Sequence, residues 1–168
     1  TTPLVVAIEM GYGHLRAAVP LAERLGAEVL HCDRPPLADA EEQRLWAQAR
    51  RLYEGMSRLS QLPAVGAPLQ ALVDSLTSIP HLHPYRDLSL PTAGTRVLDR
   101  FAARGLGHGL AETLRRTGAP LLTTFFAPAV TAERYGCENV YCVVTDADIN
   151  RVWAPLHSAR TRVRFFAP

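Results

Sequence analysis

Apolar and polar positions along this chain switch between the period of a buried strand and the period of an amphipathic helix. Pro3 to Ile8 is an unbroken apolar run that stops at a glycine-rich turn, the pattern of a strand buried on both faces. From His14 the apolar residues Leu15, Ala18, Val19, Ala22 and Leu25 recur at helical spacing, and Gly26 follows as a stop. Pro20 falls inside this predicted helix and is expected to bend it or distort its first turns. Residues 27–32 read as a second short strand, which completes a β-α-β unit and opens a parallel sheet.

Arg34, Pro35 and Pro36 then break the chain, and a long helix is predicted over 38–62, with Arg44, Arg50, Arg51 and Arg58 interleaved among its apolar residues. A short helix over 69–76 and a loop over 78–95, rich in Pro, Ser, Thr and Gly, come next. Loops of that length within a compact domain are usually functional or mobile. Residues 97–117 read as a helix interrupted at Gly105, Gly107 and Gly109, 120–126 as a strand, 130–135 as a short helix and 139–145 as a strand. Over 160–166 the arginines Arg160, Arg162 and Arg164 alternate with Thr161, Val163 and Phe165, the period of a strand with one wet face. Strands alternating with helices predict an α/β fold with a Rossmann-like, doubly wound, mostly parallel sheet. A length of 168 residues fits one such domain, over 1–168.

Composition narrows the class. With 48% hydrophobic and 20% charged residues the chain is of ordinary globular type. It has no apolar run of membrane-spanning length and no signal-peptide pattern, so a cytoplasmic location is expected. Three cysteines, Cys32, Cys137 and Cys142, form no CxxC pair and read as free thiols. A net charge of +2 does not suggest a nucleic-acid partner. All 18 basic residues are arginine, a bias that suits phosphate and carboxylate recognition and equally reflects a GC-rich genome.

Candidate chemistry begins at the loop after the first strand. Gly11, Tyr12 and Gly13 lie where open α/β sheets place ligands, and the helix that follows aims its N-terminal N–H groups at any anion. His14, at the start of that helix, is a candidate general base; the alternative is a glycine turn with a solvent-facing histidine. A second candidate segment runs from Val143 to Trp153. Its Asp146, at the end of a predicted strand, could take the proton of a substrate hydroxyl or orient His14, and Asp148 is a nearby substitute. Each aspartate could instead cap the next helix.

Both segments resemble elements of the GT-B glycosyltransferases that include monogalactosyldiacylglycerol synthase, the processive diacylglycerol glucosyltransferases and the peptidoglycan lipid N-acetylglucosaminyltransferase. Met10, Gly11, Tyr12, Gly13 and His14, with Arg16, Ala17, Ala18 and Pro20, are similar to the GGGH-like loop and helix of that family. Thr145, Asp146 and Trp153 fall in register with its V-T-D-x-x-x-H-x-x-W pattern, with Asn150 in place of the histidine. Asn150 cannot take a proton at neutral pH. The stretch from Arg164 to Pro168 is similar to the family's last strand before the interdomain linker. The resemblance implies the N-terminal, acceptor-binding half of a GT-B fold, with the donor-binding C-terminal domain absent. It further implies a nucleotide sugar and a diacylglycerol-like lipid as partners, no metal or cofactor, and inactivity of this half alone. His14 and Asp146 would be catalytic. Gly11, Tyr12, Gly13, Thr145, Asp148, Asn150 and Trp153 would bind substrate.

In the lipid-modifying members the helical region after the second strand meets the bilayer. Here Trp46, Arg50, Arg51 and Tyr53 are expected to face a membrane, by insertion of apolar side chains and attraction to anionic lipid. The competing reading packs the same apolar residues into the core. His81 and His83 carry no third metal ligand nearby. The rival function is a non-enzymatic α/β module that binds a lipid or nucleotide. An oxidoreductase fits less well: Arg16 stands where a dinucleotide loop needs its third glycine, although Asp33 resembles a ribose ligand.

Overall fold

A computed structural model describes residues 2–10, 12–60, 90–146 and 151–167, apart from the side chains of Tyr12 and residues 56–60. Five strands, β1 Leu4–Ala7, β2 Val29–His31, β3 Leu121–Thr123, β4 Val140–Val143 and β5 Arg164–Phe166, form one parallel sheet in the order β2-β1-β3-β4-β5. The helices are α1 Tyr12–Leu25, α2 Ala40–Ser60, α3 Ala93–Ala103, α4 His108–Thr117 and α5 Phe126–Arg134. This is the expected Rossmann-like α/β architecture.

The unbroken apolar run of β1 has its reason in this placement. Val5, Val6, Ala7 and Ile8 are all fully buried, because β1 lies inside the sheet with helices on both faces. Val5 and Ala7 meet Ala18 and Ala22 of α1, whose small side chains let the helix sit close to the sheet. Val6 and Ile8 join the larger core on the other face, with Leu45 and Trp46 of α2, Leu98 of α3, Leu110 and Leu114 of α4 and Ala129 of α5. From β1 the chain steps to β2 on one side and then returns to β3 on the other. The ends of β1 and β3 therefore open a crevice at the point where the strand order reverses.

Element boundaries differ from the sequence pattern for local reasons. α1 runs on through Pro20 to Leu25; that residue is exposed, so the carbonyl that loses its helical partner can be hydrated. α3 begins at Ala93, inside the predicted loop, because Thr92 caps it: its backbone is extended and its hydroxyl accepts from the Thr95 N–H at 3.4 Å. α5 begins at Phe126, four residues early, since Pro128 falls in the first turn, where a missing N–H costs nothing. β5 is confined to Arg164–Phe166, although Arg160, Arg162 and Arg164 are all exposed and Val163 is buried, as the alternation predicts. The predicted helix over 69–76, most of the loop over 78–95, and His81 and His83 lie outside the described residues.

The glycine-rich interruption between α3 and α4 is a close-packing device. Gly107 is left-handed (φ 84°), and a Cβ there would strike the Thr131 side chain. A Cβ on Gly109 would fall on the Leu37 carbonyl. With both side chains absent, the Gly107 and Gly109 N–H groups reach the Glu42 carboxylate at 2.7 and 3.0 Å. Glu42 thereby caps α4 from another helix, satisfying N–H groups that have no partner within α4.

Candidate functional site

Three strand ends meet around His14. The residue lies in the first turn of α1, directly beyond the glycine loop that follows β1, and is half-buried. Its Nδ1 is 3.0 Å from the main-chain carbonyl oxygen of Thr124, just past β3, and 2.7 Å from Oγ1 of Thr145, two residues past β4. Thr124 returns the contact: its hydroxyl donates to the His14 carbonyl at 2.7 Å. The two sequence motifs, 131 positions apart, are thus in direct hydrogen-bond contact at the carboxyl edge of the sheet.

An aromatic wall supports the imidazole. The Phe125 ring meets it edge-on at 4.6 Å between centroids, and Trp153 stands 6.2 Å away. Phe126 packs against both Phe125 and Trp153. Phe125 and Trp153 are buried, so they brace the ring from the core side.

Several expectations change at this point. The Asp146 carboxylate accepts the Trp153 indole N–H at 3.1 Å, and among the described residues no hydrogen bond joins it to His14. Orientation of His14 falls to Thr124 and Thr145 instead. Trp153 is 2% exposed and supports Asp146 and the aromatic wall. Gly13 is exposed and a Cβ there would meet nothing within 4 Å, so the protein's own packing does not require a glycine at this position. Gly11, the Tyr12 side chain, Asp148 and Asn150 lie outside the described residues.

The residues expected to face a membrane divide. Trp46 is buried in the core beside Leu45 and donates its indole N–H to Glu42 at 3.3 Å, which overturns its membrane-facing assignment. The reason is helical phase: Glu42, Leu45 and Trp46 sit at i, i+3 and i+4 on the inward stripe of α2. Arg50 pairs with Asp33 at 2.7 Å. Arg51, Leu52 and Tyr53 are exposed. Asp33, the residue a ribose would need, is enclosed between Arg50 and Arg34, and Arg34 pairs with Glu9 beyond β1 at 2.6 Å.

Two features escaped the sequence pattern. Thr124 was hidden at the end of an apolar run, its only signal being the polar pair Thr123 and Thr124 where a strand gives way to a turn. Glu42 looks like an ordinary acidic residue in the first turn of a helix. It is instead buried, and it lines a cleft of about 490 Å³ with Leu37, Asp39, His108, Glu112 and Arg116. Burial raises its carboxyl above the usual range, more than the opposing hydrogen bonds from Gly109, Gly107 and Trp46 lower it. His108 packs its ring edge-on against Tyr135. Among the described residues no group of three or more His, Cys, Asp or Glu side chains is placed to hold a metal, and no helix is long and apolar enough to cross a membrane. Comparisons with protein-family models, curated proteins and solved structures return no match to this chain.

Proposed function

We propose that this chain is the acceptor-binding domain of a GT-B-type glycosyltransferase that moves a sugar from a nucleotide donor to a hydroxyl of a diacylglycerol-like lipid. The observation that carries the reading is the 2.7 Å contact between His14 and Thr145, one from each family-like motif, at the switch point of a parallel sheet. In this reading the acceptor hydroxyl gives its proton to His14, its oxygen bonds to the anomeric carbon, and the bond from that carbon to the diphosphate breaks. The first turn of α1 turns its positive end toward the leaving diphosphate. The donor is held by a second domain. Asp146, with one carboxylate oxygen engaged by Trp153, is the alternative base.

The test is transfer of labelled sugar from a panel of nucleotide sugars to diacylglycerol vesicles, using the full coding product. His14→Ala is expected to lower kcat by roughly 10²–10⁴-fold, the usual contribution of a general base. Turnover unchanged by His14→Ala and abolished by Asp146→Asn would reassign the base, and no transfer to any lipid would refute the reading. Asn150, in place of the family's histidine, favours one second reading, a lipid- or nucleotide-binding module without turnover. That reading predicts vesicle or nucleotide binding with no product.

A further inference from the structure

We infer that Thr124 fixes the tautomer of His14, holding the imidazole proton on Nδ1 and leaving Nε2 as its unprotonated nitrogen. Nδ1, the Thr124 carbonyl oxygen and Thr145 Oγ1 form a triangle with sides of 3.0, 2.7 and 3.4 Å. A carbonyl can only accept. An Nδ1 lone pair aimed at it from 3.0 Å would set two acceptors against each other, so the proton belongs on Nδ1. The Thr145 hydroxyl fits the same arrangement: it accepts from Nδ1–H and directs its own proton toward the Thr124 carbonyl. If that hydroxyl donated to Nδ1 instead, the carbonyl would be left facing a lone pair in half-buried surroundings, where a lost hydrogen bond is costly.

Thr124 acts twice on the same residue. Its carbonyl faces the ring, and its hydroxyl holds the His14 carbonyl at 2.7 Å, tying the first turn of α1 to the end of β3. Thr124 is fully buried, which keeps water from competing for either contact. Among the described residues nothing hydrogen-bonds to Nε2, so that atom is left to whatever enters the crevice. Thr124 is accordingly a positioning residue. The corollary, that Nε2 receives the acceptor's proton, rests on the glycosyl-transfer reading; the tautomer itself does not.

The experiment reads the tautomer directly on the chain alone, with no substrate present. Two-bond ¹H–¹⁵N spectra of the ¹⁵N-labelled protein, in buffer alkaline enough to keep imidazoles neutral, distinguish Nδ1–H from Nε2–H rings, and the His14 signals are assigned by their loss in His14→Gln. The expected result is a dominant Nδ1–H form for His14, against the Nε2–H form that free histidine prefers in water. Thr145→Val should keep Nδ1–H, since the carbonyl remains. Thr124→Ser should keep it too. Thr124→Val, which also keeps that carbonyl and loses only the hydroxyl tie to the His14 main chain, should keep Nδ1–H as well. An Nε2–H ring in the wild type overturns the inference. A switch to Nε2–H in Thr145→Val assigns the control to that hydroxyl instead and removes Thr124 from it. A switch to Nε2–H in Thr124→Val overturns control by the carbonyl and assigns it to the Thr124 hydroxyl. Failure of sugar transfer would leave all three readouts standing.

Discussion

Replacing Glu42 by alanine removes the acceptor of three donors at once: the Gly107 N–H, the Gly109 N–H and the Trp46 indole. Their losses differ. The Gly107 bond is buried, and an orphaned donor there costs about 1–3 kcal/mol. Gly109 lines the cleft, so water can replace the carboxylate and the loss is roughly 0.5–1 kcal/mol. The Trp46 contact is long, at 3.3 Å, and adds less. Against these stands relief of burying a carboxylate, the first cause of the raised Glu42 pKa. The net expectation is a loss of about 2 kcal/mol at neutral pH, or about 4–8 °C in Tm for a chain of this size.

The pH dependence has a definite sign. Because the folded state raises the Glu42 pKa, native protein holds the proton more tightly than unfolded chain does. The stabilisation is full below the unfolded carboxylate pKa and is lost as pH rises through the higher folded value. The deficit of Glu42→Ala should therefore be largest in acid and shrink toward neutrality. Urea denaturation of both proteins, followed by circular dichroism across that range, measures it. Equal midpoints would refute the capping role, and a deficit that grows with pH would refute the dominance of burial over the hydrogen bonds at Glu42.

Gly107→Ala should cost about 2–4 kcal/mol, from a left-handed backbone plus collision with Thr131, whereas Gly118→Ala, also left-handed but with open space, should cost only about 1–2 kcal/mol; equal urea midpoints would contradict the packing account. Burial raises all three thiols, Cys142 to about 12, with the Asp33 and Glu42 carboxylates adding to the effect on Cys32. Native protein at pH 8 should therefore label slowly at half-buried Cys137 and at Cys32 and Cys142 only on unfolding; rapid labelling of three thiols would be inconsistent with that core. Trp153→Phe keeps the aromatic wall but removes the N–H that holds Asp146, so a loss of about 1 kcal/mol in urea is expected, and no loss would mean the contact is idle.

The sequence by itself determined the sheet and most of its helices, because a strand buried on both faces must be apolar throughout and a helix covering a sheet must be apolar every third or fourth residue. It also placed His14 at the start of the helix beyond the first strand and Asp146 at the end of a later strand, from the glycine-rich loop that precedes the one and the apolar run that precedes the other. What it left open were the contacts made across the chain. Periodicity along α2 could not tell Trp46, in the core, from Tyr53, which is exposed, because seven residues apart they share one helical phase; how far along α2 the core extends was decided by tertiary packing. Gly107 and Gly109 showed only an interruption; that Thr131 and the Leu37 carbonyl press against them, and that Glu42, more than 60 positions earlier, accepts their N–H groups, was decided by tertiary packing. The partner of His14 was likewise a matter of topology. Strand order brings β3 beside β1, and this puts the Thr124 carbonyl, a main-chain atom with no residue signature, against the imidazole. Local patterns record what each residue buries, whereas which groups meet depends on how the strands are ordered.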